Sequence, residues 1–165
     1  MSIKGHLQGL GLLACALIIA AGVLSNRDRA PEHQGAVDLA PGPRDELTLR
    51  RDADGHFRVE AEVNGRPLQF LIDTGASHVV LSPADAARIG LRPTRDDFSL
   101  SLTTANGSLR AAPVTLDTVR IGSLDIPQVT AVVTGTDLPQ SLLGMSFLNR
   151  LGRWRVEGDR LMLGD

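Results

Sequence analysis

The hydrophobic pattern divides the chain into three stretches of different texture. From Leu7 to Leu24 the sequence reads LQGLGLLACALIIAAGVL, apolar apart from Gln8. A run of about eighteen such residues falls inside the ~17–25 that cross a bilayer as a helix. Being apolar on every face and lying at one end of the chain, it reads as an anchor rather than a core helix. Ala20-Ala21-Gly22 is a weak processing site, and the apolar run continues well past Cys15, so an uncleaved signal-anchor over residues 1–24 is expected. Lys4 before it and Arg27 and Arg29 after it give the positive-inside rule little to weigh. A tail this short stays in the cytoplasm, which puts the bulk of the chain on the far side. Residues 25–45, with three prolines, two glycines and many charges, keep no apolar period and read as a flexible linker.

From Glu46 onward a folded texture begins. Phe57, Val59, Ala61 and Val63 alternate with Arg58, Glu60 and Glu62, the period-two signature of a half-buried strand. Asn64-Gly65 signals a hairpin turn, and Pro67 to Ile72 returns as its partner. Val79-Val80-Leu81 is a short apolar strand. Ser82 to Gly90 predicts a brief helix, with Ser82 as cap, Pro83 at the first helical position and Gly90 as the stop. Strands are expected over Phe98–Thr104 and Leu109–Val119 around an Ala105-Asn106-Gly107 turn, and over Leu124–Val133. A polar loop from Thr134 to Gln140 leads to an apolar Leu142-Leu143-Gly144 strand and one or two helical turns between Met145 and Leu151. Arg153–Glu157 and Arg160–Leu163 close the chain as a hairpin at Gly158-Asp159. Many short strands, frequent turns and only brief helices predict an all-β barrel or sandwich for residues 46–165.

Composition narrows the function classes. The 165 residues carry a net charge of −2, with both signs scattered, and Lys4 is the sole lysine. No basic stripe interleaved with aromatics suggests a nucleic-acid reader. The arginine bias fits a GC-rich bacterial coding sequence. Cys15 stands alone, so no intrachain disulfide forms. His6, His33, His56 and His78 show no metal-ligand spacing, and no metal or other cofactor is expected.

The residues that suggest chemistry are Phe70-Leu71-Ile72-Asp73-Thr74-Gly75-Ala76-Ser77. An apolar strand ends in an acid, a hydroxyl, a glycine and two small residues, and a second apolar strand follows at once. Asp-Thr-Gly alone is a common surface turn, but a surface turn seldom sits between two such strands. A carboxylate there is partly desolvated, and a second one about 3 Å away would have to share its proton. One member would then act as general base on a water while the other donates to a carbonyl oxygen.

This segment resembles the active-site strand of the retropepsin-like aspartic proteases, in particular a bacterial membrane-anchored group. Leu142-Leu143-Gly144-Met145-Ser146-Phe147-Leu148 is similar to the family's second segment, two hydrophobic residues and a glycine followed by a short helix. Thr103 to Gly107 is a weaker match to the tip of its flap. The matches span roughly Leu47 to Leu163. They imply a single-lobe closed barrel, with Asp73 catalytic and supported by Thr74 and Gly75. Ala76, Ser77, Ala105, Asn106 and Gly107 would contact substrate, and Leu142, Leu143 and Gly144 would pack beneath the acid.

Asp-Thr-Gly occurs once, and about 120 residues suffice for one lobe only, so the two-carboxylate chemistry requires a homodimer. Anchoring both copies in one membrane would raise their effective concentration. The expected protein is a single-pass inner-membrane endopeptidase, its catalytic domain in the periplasm, acting on extended protein or peptide substrates. Self-cleavage in the linker is a variant of the same reading. Pepsin-like relatives often carry Ser at the Ala76 position, so a less acidic optimum than pepsin's is expected. A membrane-tethered scaffold of the same fold, dimerising or binding peptides without catalysis, is the alternative.

Overall fold

The computed structural model of the protein describes residues 46–104 and 107–164. The proposed membrane anchor and linker lie outside the described residues. Among those described, no helix is long and apolar enough to cross a membrane.

Ten strands and two short helices are described. The strands are β1 (Leu47–Arg50), β2 (Arg58–Val63), β3 (Arg66–Ile72), β4 (Val79–Leu81), β5 (Leu100–Thr104), β6 (Gly107–Ile121), β7 (Leu124–Thr134), β8 (Ser141–Leu143), β9 (Arg153–Glu157) and β10 (Arg160–Gly164). The helices are α1 (Pro83–Arg88) and α2 (Met145–Leu148), with one 3-10 turn at Arg95–Asp97. Neighbouring strands run β2-β3-β8-β4-β7-β6, and a β2–β6 pairing closes the ring. The result is a six-stranded barrel with β5 extending one side. A separate three-stranded sheet has the order β1-β10-β9.

Local chemistry accounts for most of the elements. Asn64 and Gly65 both take positive φ, 49° and 78°, as the tight turn between β2 and β3 demands. The alternation in β2 puts Val59, Ala61 and Val63 inside and Glu60 and Glu62 outside. All three residues of β4 are buried, because it lies between β7 and β8 with both faces covered. Ser82 caps α1 by accepting from the Asp85 amide at 3.1 Å, and Pro83 occupies the first turn. Phe70, Leu68, Leu81, Leu116, Leu143 and Phe147 are fully enclosed in the main core. Burying each such side chain contributes roughly 1.5–3 kcal/mol.

Two elements differ from the sequence expectation. Strand β1 was not anticipated, because Leu47-Thr48-Leu49-Arg50 is too short for its alternation to stand out from the linker. It forms by pairing with β10, Leu47 opposite Leu163 and Leu49 opposite Leu161, about as far away in sequence as the domain allows. Strand β8 ends at Leu143, and Gly144 serves instead as the N-terminal cap residue of α2.

Candidate active site

Asp73 follows directly on β3. That strand pairs in parallel with β8, Leu71 beside Leu142 and Ile72 beside Leu143. The ladder continues one step further, the Asp73 amide donating to the Leu143 carbonyl at 3.1 Å. The acid is thereby fixed at the mouth of two apolar strands, half-exposed. Beyond it the chain folds back on itself. The Gly75 amide donates to Asp73 Oδ1 at 2.8 Å and the Ala76 amide to the Asp73 carbonyl at 3.2 Å. A Cβ on Gly75 would stand 3.1 Å from Asp73 Oδ1. Gly75 therefore serves by leaving room beside the carboxylate, and its φ is not positive.

Helix α2 supports this loop from below. The Met145 amide donates to the Ala76 carbonyl at 2.8 Å and the Ser146 amide to the Ser77 carbonyl at 3.0 Å. These are amides that a helix start would otherwise leave without partners. Ser146 Oγ accepts from the Val79 amide at 2.8 Å and donates to the Thr130 carbonyl at 2.7 Å, joining α2 to the start of β4 and to β7. Gly144 permits the close approach. A Cβ there would lie 2.2 Å from the His78 carbonyl oxygen and 2.5 Å from that of Ala76. No side chain fits between α2 and the Asp73 loop.

The two leucines of β8 face opposite ways. Leu143 is buried in the main core. Leu142 joins a second, smaller cluster with Val80, Ala111, Val132 and Leu138, onto which Leu102 of β5 and Leu109 of β6 also pack. The hairpin β5–β6 is thus seated on apolar residues that adjoin the Asp73 strand pair. Its arms close with Thr104 opposite Gly107, where Gly107 takes a φ of 110° and its carbonyl accepts from Thr104 Oγ1 at 2.7 Å. Ala105 and Asn106, predicted for the flap tip, lie outside the described residues.

The structure brings Asp73, Thr74, Gly75, Ala76 and Ser77 into one loop over Leu142, Leu143 and Gly144. Thr74 and Ser77 are exposed, and no partner for the Thr74 hydroxyl is found among the described residues. A cavity lined by Arg95, Phe98, Arg110 and Gly135 takes no wall from those predicted site residues that are described. Among the described residues no group of three or more His, Cys, Asp or Glu side chains gathers as a metal site would require.

Sequence reading missed a buried support at the other end of β8. Ser141 is fully enclosed, accepts from the Ser82 amide at 3.1 Å and donates to Asp85 Oδ2 at 2.6 Å. This ties β8 to α1. A serine just ahead of an apolar pair was the available signal, and its partner's distance in sequence concealed it.

A closed barrel whose paired apolar strands present an Asp-Thr-Gly loop, with a Gly-started helix beneath and a hairpin beside it, defines one lobe of an aspartic protease. Residues 59–150 match the family described as "gag-polyprotein putative aspartyl protease". The chain belongs to that family, the retropepsin-like aspartic proteases. It is similar to the crystal structure of a retropepsin-like aspartic protease from Rickettsia conorii, with 40% identity and a TM-score of 0.66 over 72% of this chain and 89% of that one. The EIAV protease complexed with the inhibitor HBY-793 matches at 24% identity and a TM-score of 0.53, over 64% of this chain and 97% of that one, a likeness of fold. Among curated proteins, an uncharacterised Sinorhizobium protein encoded in the cobV 5′ region is 41% identical over 73% of this chain. An uncharacterised protein of Rickettsia prowazekii is 37% identical over 72% of it. The aligned region spans about half of these two relatives' own length, 52% and 51%.

Proposed function

We propose that the protein is an aspartic endopeptidase whose active site is completed by a second copy of the same chain. One observation carries this reading. The sole Asp-Thr-Gly presents a half-exposed carboxylate and an exposed hydroxyl on a rigidly supported loop, and the Asp73 side chain has no ion-pair partner among the described residues. That is half of a two-carboxylate site.

With two copies related by a two-fold axis, the Asp73 carboxyl groups share one proton between them. The ionised member takes a proton from a water held between the two, and the hydroxide so formed adds to the peptide carbonyl carbon. The protonated member gives its proton to the carbonyl oxygen. Proton transfer to the amide nitrogen then breaks the C–N bond and releases the two products. Each Thr74 hydroxyl locks the facing loops by a reciprocal hydrogen bond. The β5–β6 hairpin closes over an extended substrate, and the apolar cluster of Leu142, Val80 and Leu138 forms the floor on which aliphatic side chains rest. The segment Leu7–Leu24 tethers the domain to the inner membrane, on its periplasmic side.

The test is cleavage of a pool of denatured proteins by the full chain in detergent, at roughly pH 4 to 7. Cleavage should fall by a factor of about 10³ or more in Asp73→Ala, and a statine-type inhibitor should abolish it. With Ala76 in place of a hydroxyl, the pH profile should peak well above about 2. Equal cleavage by wild type and Asp73→Ala would remove the protease assignment for this site. A folded dimer with no cleavage would instead favour the non-catalytic scaffold.

A further inference from the structure

Strand alternation turns Leu109 and Ala111 toward the apolar cluster beneath the β5–β6 hairpin, so Arg110 between them faces the other way. On that outer side Arg110, Phe98, Gly135 and Arg95 of the 3-10 turn line an open cavity of about 490 Å³. A volume of that order suits a small organic molecule.

The walls of this cavity are fixed in place. Arg110 Nε donates to the Phe98 carbonyl at 2.8 Å and Nη2 donates to the same oxygen, leaving Nη1 uncommitted among the described residues. The Gly135 amide donates to the Arg110 carbonyl at 2.9 Å. A Cβ on Gly135 would stand 3.2 Å from that oxygen and 3.4 Å from the Phe98 ring. A larger residue would crowd the ring and fill the space. Charge here is also unbalanced. Arg58, Arg88, Arg120 and Arg155 each have a carboxylate within 3.3 Å, whereas Arg95 and Arg110 have none among the described residues. The nearby Asp97 carboxylate is occupied by Thr94, whose amide and hydroxyl donate to it at 2.6 and 2.7 Å.

We infer that this cavity binds a carboxylate borne on an aromatic or other apolar group. The carboxylate accepts from the open edges of the two guanidinium groups and offsets their mutual repulsion, while the apolar body rests against the Phe98 ring. A bare anion such as phosphate would leave the ring unused. The carboxyl terminus of a peptide ending in an apolar residue has this chemistry, and so does a free aryl carboxylic acid. Phe98 leads into the hairpin, Arg110 lies within it, and Gly135 opens the loop that carries Leu138 to the apolar cluster. A bound ligand would therefore tie together the two segments that flank that cluster. The inference goes beyond the protease reading and does not depend on it.

The test is isothermal titration calorimetry on the full chain in detergent near pH 7, with N-acetylphenylalanine and its neutral amide as probes. The acid should bind about tenfold tighter than the amide or better. Arg95→Gln, at an exposed position, should cost the acid about tenfold in affinity and leave the amide unchanged. Arg160→Gln, at an exposed position in β10, should change neither. Equal binding of acid and amide overturns the inference. So does Arg95→Gln that binds like wild type, a loss in Arg160→Gln as large as in Arg95→Gln, or inorganic phosphate that binds as tightly as the acid. Binding of 3-phenylpropanoate separates the two sources. Affinity equal to that of N-acetylphenylalanine marks a free acid and weaker affinity marks a peptide terminus, and either keeps the site. Because binding is read without cleavage, a protein that cleaves nothing still tests this site, and a failed titration leaves the protease reading standing.

Discussion

Gly144 shows how one residue's lack of a side chain can set a site. With carbonyl oxygens 2.2 and 2.5 Å from where its Cβ would be, Gly144→Ala forces α2 away from the Asp73 loop. We expect a loss of about 3 kcal/mol or more in urea denaturation, accompanied by a fall in cleavage. A variant as stable as wild type would mean that the loop and helix do not meet this closely. Gly75 is small for a related reason, the space beside a carboxylate oxygen. At this scale the sequence was highly legible. Asp73, Thr74, Gly75 and Gly144 stood out because acids, hydroxyls and glycines interrupt apolar strands only where something specific is required. Ser146 and Ser141 did not stand out. A serine's partners here are backbone amides and carbonyls and one distant acid, and nothing in the local sequence records them.

At the scale of elements, periodicity predicted the β2–β3 hairpin, α1 with its serine cap, and the β9–β10 hairpin, because each is specified by residues close in sequence. Strand β1 and the barrel-closing β2–β6 contact depend on partners more than fifty residues away, and alternation within four residues could not reveal them. The loop before β2 carries a charge cluster of its own. Arg58 donates to Asp54 at 2.6 Å, to Asp52 at 2.7 Å and to Gln140, immediately before β8, at 3.2 Å. Its hydrogen bond holds the Asp54 carboxyl well below the usual carboxylate range, against a smaller desolvation effect. A lowered folded pKa means that the bond's contribution is complete above the unfolded value of about 3.9 and is lost as pH falls through the folded one. The pair is substantially exposed, so the effect on stability is small and salt-sensitive. Carboxyl carbon shifts measured by NMR should show Asp54 still ionised at about pH 3, with Arg58→Gln raising its midpoint toward the usual carboxylate range while the His56 hydrogen bonds keep part of the shift. A normal midpoint in the unmodified protein would show that the clamp is not formed in solution.

At the scale of the whole molecule, a shared active site makes activity depend on composition. If each site needs Asp73 from both copies, mixed dimers with Asp73→Asn are inactive. Activity in randomly mixed samples should then follow the square of the wild-type fraction, so that an equal mixture retains about a quarter. A linear fall would mean that one copy suffices. Leu47 and Leu163 are register partners, so the chain enters and leaves this domain at neighbouring points, about 5 Å apart. A module with adjacent ends can be spliced into a loop of another protein without stretching its host, and can be excised again without leaving a gap. Whatever is fused at either end of the domain emerges at the same place, and the two attachments compete for the space around it.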